Sequence, residues 1–226
     1  MQTKDIPHGS KVIKPWGSEY TIHKNKETST KLLKMLPNMK TSLHCHPIKK
    51  TGFILLKGRV NVDLGFYDTR ELISPEKLMI RPGLFHSTKN VNNTISTILE
   101  IETPIDKDDL VRFKDEYGRE NQPYEGQSKM KNINETDVIF EDPLLNSVNE
   151  YNIEGIQIRI EKTDKTEHLK NREKKTIFAI LEGGLFAEDG KKVLSSGDIV
   201  RTDTIDKLTE VFEVKNTTTF LTLNYE

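Results

Sequence analysis

Apolar residues along the chain recur in short runs, mostly at every second position. Val60, Val62, Leu64 and Phe66 alternate with Asn61, Asp63 and Gly65. Ile156, Ile158 and Ile160 alternate with polar neighbours, and so do Leu221, Leu223 and Tyr225. A period of two sends successive side chains to opposite faces of an extended strand. The longest continuous apolar runs, at residues 53–56 and 177–181, are of strand length. Turn signals separate them: Leu36-Pro37-Asn38, Lys57-Gly58, Arg81-Pro82-Gly83, Glu182-Gly183-Gly184 and Ser196-Gly197-Asp198. No long segment carries a helical period. Many short strands punctuated by Gly and Pro turns predict an all-β protein, a sandwich or barrel.

The pattern also repeats. From His44 to Val62 a polar loop leads to an apolar strand, then Lys57-Gly58, then another strand. From His168 to Phe186 a charged loop, an apolar strand, Glu182-Gly183 and Leu185-Phe186 follow in the same order. A further turn comes after each, Arg81-Pro82-Gly83 in the first and Ser196-Gly197-Asp198 in the second. Two tandem copies of one barrel account for the 226 residues, since roughly 100 residues each can sustain a core. The segment from Lys114 to Glu135, charged and holding Gly118, Pro123 and Gly126, reads as a linker with a short strap at its start. The expected domains are residues 1–130 and 131–226, with the boundary near Lys131.

Composition narrows the partners. Lys and Arg number 34 against 35 Asp and Glu, a net charge of −1, so the basic excess of a nucleic-acid binder is missing. A single cysteine, Cys45, excludes an intrachain disulfide and fits a reducing compartment. The first residues hold no apolar signal region, and no run approaches the ~18–20 apolar residues of a membrane span. The expectation is a soluble, cytoplasmic protein with neither nucleic-acid nor membrane partners.

Two stretches carry candidate chemistry: Ser42-Leu43-His44-Cys45-His46, and Pro82-Gly83-Leu84-Phe85-His86-Ser87-Thr88-Lys89-Asn90. His44 and His46, two apart on a strand, point to one face, and His86 after a tight turn can join them from a neighbouring strand. Three imidazoles with an open position suit a divalent transition metal, with Zn, Fe, Mn, Ni and Cu all compatible. Alternation sends Cys45 to the opposite face as a small buried residue. His8, His23 and His168 lack such company and are given no role.

With H-x-H, a downstream Gly58 and P-G-x-x-H-x-x-x-N in order, the sequence resembles the cupin superfamily. The resemblance implies two double-stranded β-helix (jelly-roll) barrels, a bicupin, with the metal site in the first. That pattern usually places a glutamate four or five residues after the second histidine, where Lys50 and Thr51 stand here. The site then has three neutral ligands, and a metal bound there keeps its full charge. Lys49, Lys50 and Arg81 lie close enough in sequence to help hold an anionic substrate, or are ordinary solvated surface.

The N-terminal half further resembles the mannose-6-phosphate isomerase domain of the type II family. The likeness runs over about residues 12–120, through Lys14-Pro15-Trp16-Gly17-Ser18 and Ile98-Leu99-Glu100-Ile101. It closes at Asp108-Asp109-Leu110-Val111-Arg112-Phe113, Asp115 and Tyr117-Gly118-Arg119. In that family the ligands fall at the positions of His44, His46, Thr51 and His86, with glutamine usual at the first and glutamate at the third. The resemblance implies aldose–ketose isomerisation of a sugar phosphate, with Arg112 as a phosphate or enediolate partner. Arg112 and Arg119 either bind substrate or form ion pairs strapping the barrel mouth. Glu100 and Glu102 share one strand face and are candidate general bases. Trp16, the single tryptophan, is expected to pack as core.

The second barrel keeps the rhythm without the histidines: Lys170 follows His168 where a ligand would stand, Glu173 takes the carboxylate place, and Ile-Val-Arg-Thr-Asp follows Gly197-Asp198. It is expected to bind no metal and to support the first barrel or a homodimer. The functional expectation is a metal-dependent isomerase or epimerase of a phosphorylated or nucleotide-linked sugar, serving polysaccharide synthesis. A three-histidine iron dioxygenase and a non-catalytic sugar-binding cupin are the alternatives.

Overall fold

The computed structural model describes residues 10–106, 108–119 and 129–224. His8, Tyr225 and residues 120–128 of the expected linker lie outside them. The chain divides into two compact units, Met1–Ile22 with Ser29–Asp137, and His23–Thr28 with Val138–Glu226. Both are built of antiparallel sheets, as the period-two pattern predicts. Among the described residues no helix is long and apolar enough to cross a membrane.

In the first unit the strands are β1 (Ser10–Lys14), β2 (Gly17–Lys24), β3 (Ser29–Met35), β4 (Leu43–Cys45), β5 (Lys50–Lys57) and β6 (Arg59–Leu64). They continue with β7 (Asp68–Ile73), β8 (Glu76–Ile80), β9 (His86–Asn90), β10 (Ser96–Thr103), β11 (Val111–Lys114) and β12 (Met130–Asn132). One sheet runs β12-β1-β2-β3-β10-β5-β8 and the other β11-β4-β9-β6-β7. The chain passes from one sheet to the other between β5 and β6, at Gly58. This residue has φ +96°, and a Cβ there would stand 2.3 Å from Ser96 Oγ, so only glycine fits.

The interior of this barrel changes character along the strands. Leu33, Met35, Phe53, Leu55, Leu78, Ile80 and Ile98 meet Val60, Val62, Leu72 and Trp16 in one buried apolar cluster. Alternation on the same strand faces brings Lys31, Thr51, Glu100 and Glu102 next in line, and the register sets Lys31 opposite Glu100 and Thr51 opposite Glu102. Phe53 marks the transition, with its ring centroid 6.2 Å from that of His86. Asn90 fixes the far end of β9. Its amide donates to the carbonyls of Met35, Leu36 and Thr94, and its Oδ1 accepts from Asn92 N–H and Ser96 Oγ.

In the second unit β13 (Ser147–Ile153), β14 (Ile156–Thr163), β15 (Ile177–Glu182), β18 (Ile199–Arg201) and β20 (Thr218–Leu223) form one sheet, ordered β13-β14-β20-β15-β18. The other holds β17 (Lys192–Ser195), β16 (Gly184–Phe186) and β19 (Glu213–Val214) in that order. The repeat is structural: the chain changes sheet at Gly183, φ +77°, as it does at Gly58. Phe178, Ile180, Leu185, Leu194 and Phe220 form the core. Helix α1 (Thr202–Thr209) adds Ile205 to it, an element the strand pattern does not anticipate.

Candidate metal centre

His44 on β4 and His86 on β9 are direct cross-strand partners, and His46 follows one residue beyond β4. Their ligand nitrogens lie within 4.8 Å of one another. The tight turn that brings His86 round is fastened to His46, because Gly83 N–H donates to the His46 carbonyl at 2.8 Å. The spacing read from the sequence thus converges in space.

Each imidazole is oriented by a backbone carbonyl. The Nδ1 of His44 faces Ser42 O at 2.8 Å, that of His86 faces Leu84 O at 3.0 Å, and that of His46 faces Asp109 O. A carbonyl oxygen only accepts, so all three Nδ1 atoms carry the proton and all three Nε2 atoms present lone pairs. Histidines that bind metals usually have such a carbonyl behind the ring, which fixes the tautomer and the ring's direction. The buried His86 Nε2 has no hydrogen-bond partner among the described residues, a costly condition unless the atom serves a ligand.

Electrostatics keep the rings neutral. Burial, helped by the other two histidines, holds His44 well below the usual imidazole range. Burial lowers His46 as well, and it lowers His86 to about 4. Neutral imidazoles are the form that binds a metal. The donor set therefore fits a divalent transition metal held by His44, His46 and His86. Among the described residues this is the one group of three or more His, Cys, Asp or Glu side chains that brings its ligand atoms together.

Charged groups surround the triad. Glu102 Oε1 stands 3.6 Å from His46 Nε2 and accepts from Lys49 Nζ at 3.1 Å, while Oε2 lies 2.7 Å from Lys31 Nζ. Burial opposes the charge on Glu102, but Lys31, Lys49 and His46 together outweigh it and hold the carboxyl far below its usual range. Glu100, 3.7 Å from the Lys31 ammonium, is pushed up to about 7 by burial and by Glu102 and Glu19, against the pull of Lys31. Lys31, a charged residue at an interior position, gave no sign in the sequence of standing in this site.

The remaining candidates are placed as follows. Arg112 on β11 is the cross-strand partner of His44, so its side chain leaves the sheet on the histidine face. Asp109 caps the turn after His46: its carboxylate accepts from Ile48 N–H and Lys49 N–H. Arg119 is buried and ion-paired to Asp115 through Nε and Nη2, with its guanidinium over the Tyr117 ring. Lys50 opens β5, half-buried, and Arg81 is exposed in the turn beside the site. Cys45 is buried, and burial with Asp109 raises its thiol.

Fold and site together define a cupin whose first barrel carries a three-histidine centre. The chain belongs to the family described as mannose-6-phosphate isomerase C-terminal, whose model matches residues 2–115. The xanthan biosynthesis protein XanB of Xanthomonas campestris pv. campestris is 28% identical over 111 residues, 48% of this chain and 24% of the relative. The chain thus spans about a quarter of the length of the curated relatives it matches. Among solved structures, the Cnp3 cupin domain of Schizosaccharomyces pombe is 13% identical with a TM-score of 0.37, over 38% of this chain and 63% of that one. A putative sugar phosphate isomerase from Acidithiobacillus ferrooxidans is 17% identical with a TM-score of 0.33, over 35% and 52%.

Proposed function

We propose that the first barrel is a metal-dependent isomerase or epimerase site for a phosphorylated or nucleotide-linked sugar. The observation that carries this reading is the convergence of three neutral imidazoles, each with Nδ1 engaged by a carbonyl, inside a domain of the mannose-6-phosphate isomerase family. A divalent metal on His44, His46 and His86 would supply Lewis-acid polarisation of the sugar carbonyl and hydroxyl.

The chain's own residues do the rest. Aldose–ketose exchange removes a proton from C2 and returns one to C1, with the hydroxyl proton on O2 lost as O1 gains one. The carboxylates of Glu100 and Glu102, buried on the interior face, are the proton carriers at hand. Arg112 beside His44 carries the positive charge that favours the anionic oxygen or a phosphate. XanB, a xanthan biosynthesis protein, supports a place in surface polysaccharide synthesis.

The test is NMR of the full chain, loaded in turn with Zn, Fe, Mn and Ni, incubated with mannose 6-phosphate in D2O. Fructose 6-phosphate formation or deuterium entry at C1 or C2 is expected. Sugar-phosphate binding with no exchange under any metal overturns catalysis in favour of a binding cupin. Oxygen uptake by the iron form points instead to dioxygenase chemistry.

A further inference from the structure

We infer that Glu102 is the fourth protein ligand of the metal centre, delivered from β10 to replace the carboxylate that β5 lacks at Thr51. This deepens the reading of the triad as a metal site and rests on it.

Three neutral imidazoles leave a bound dication with its whole charge in a largely buried place, where uncompensated charge is unfavourable. The barrel needs an anion there, and β5 has none. Thr51 and Glu102 are direct cross-strand partners, and partners of this kind have Cβ atoms only about 4.5–5.5 Å apart on one face. A carboxylate rooted at 102 therefore reaches the space that a longer side chain at 51 would occupy.

Glu102 stands outside the 4.8 Å that joins the three histidines, so its carboxylate has to close on the ion from the His46 side. Ligand atoms that share an ion at 2.0–2.2 Å are roughly 3–3.5 Å apart, and Glu102 Oε1 is 3.6 Å from His46 Nε2. Lys31 holds the other oxygen at 2.7 Å and so fixes the carboxylate's direction. Thr51 Oγ1 and His86 Nε2 are both buried with no hydrogen-bond partner among the described residues, leaving two unsatisfied polar atoms in the interior that Glu102 enters. Lys49 Nζ donates to Oε1 at 3.1 Å, so Lys49 competes with an ion for the same atom. With Glu102 as a ligand, Glu100 is left as the proton carrier.

Opposed effects of two substitutions test this. Wild type, Glu102→Gln, Lys49→Met, the Lys49→Met/Glu102→Gln double variant and His86→Ala are titrated as full chains with Co2+. Affinity is read by competition with a chromophoric chelator, and coordination by the visible Co2+ bands. Glu102→Gln should weaken Co2+ binding at least about tenfold and alter the bands, Lys49→Met should not weaken it, and His86→Ala should abolish it. The double variant, which strands no surplus ammonium, should bind at least about tenfold more weakly than Lys49→Met.

Unchanged affinity and bands on removing the Glu102 charge, in either background, would overturn the assignment while leaving the three-histidine site standing. Failure of the wild type to take up Co2+ would overturn both.

Discussion

His44 and His86 face each other across the β4–β9 pairing, with ring centroids 4.4 Å apart. Two strands separated by about forty residues of sequence thereby put their imidazoles into one site, and His46 completes it from the same face.

Replacing one of these rings should remove the metal without unfolding the barrel. The apolar cluster lies towards Phe53 and beyond it, and His46 contributes nothing to that core. His46→Ala is expected to lose its metal by elemental analysis while its metal-free form melts close to the metal-free wild type. A variant that retains stoichiometric metal would remove His46 from the site.

The neutral histidines make the metal-free protein sensitive to acid. His86 has a folded-state pKa of about 4 against about 6.5 in an unfolded chain. Between those values the unfolded chain binds a proton that the native state refuses, so stability is full above pH 6.5 and falls as pH drops towards 4. The loss is about 1.4 kcal/mol for each pH unit in that window. Urea midpoints at steps from pH 7.5 to 4.5 should fall, and His86→Ala should show a shallower decline.

Lys31 is expected to matter to the fold more than an ordinary lysine. It balances Glu100 and Glu102 on the interior face, and breaking a buried pair by removing one partner costs about 3–5 kcal/mol. Lys31→Met should lower the urea midpoint accordingly. Lys31→Met/Glu102→Gln should lose less than the two single variants added together, since the stranded charge is gone.

Asn90 should behave as a structural clamp and not as a ligand. Asn90→Ala leaves the buried Met35 carbonyl and the part-buried carbonyls of Leu36 and Thr94 without this donor, and about 1–3 kcal/mol of destabilisation is expected. Metal affinity of the folded variant should stay within a few-fold of wild type, read by Co2+ competition.

Much of this was legible in the residues. Period-two alternation announces β6, β14 and β20, and the paired glycine turns announce the repeat. The histidine spacing announces the triad, because alternation on a strand is geometry that any sequence obeys. Helix α1 escaped notice for a physical reason: Thr202, Thr204, Ile205 and Thr209 are β-branched and poor helix formers. Its two turns form where tertiary packing of Ile205 outweighs propensity. The orienting groups of the triad were invisible because Ser42, Leu84 and Asp109 act through their carbonyls, which every residue possesses. Lys31 was hidden by its charge, since the pattern assigns charged residues outward and this barrel turns polar inside. The sequence position of Arg119 fits either a substrate contact or a strap, and its Asp115 partner is seen only once the turn between them is folded.

The β1–β12 pairing carries a further consequence. Ser10, Lys11 and Val12 meet Asn132, Lys131 and Met130, and Lys11 Nζ grips the Asp137 carboxylate at 2.7 Å. The stretch that matches the family ends at residue 115, before β12 begins. A fragment trimmed to that stretch would expose the outer rim of β1, a bare row of amides and carbonyls that invites another chain to pair with it. An excised barrel with that rim covered therefore has to extend through Asp137.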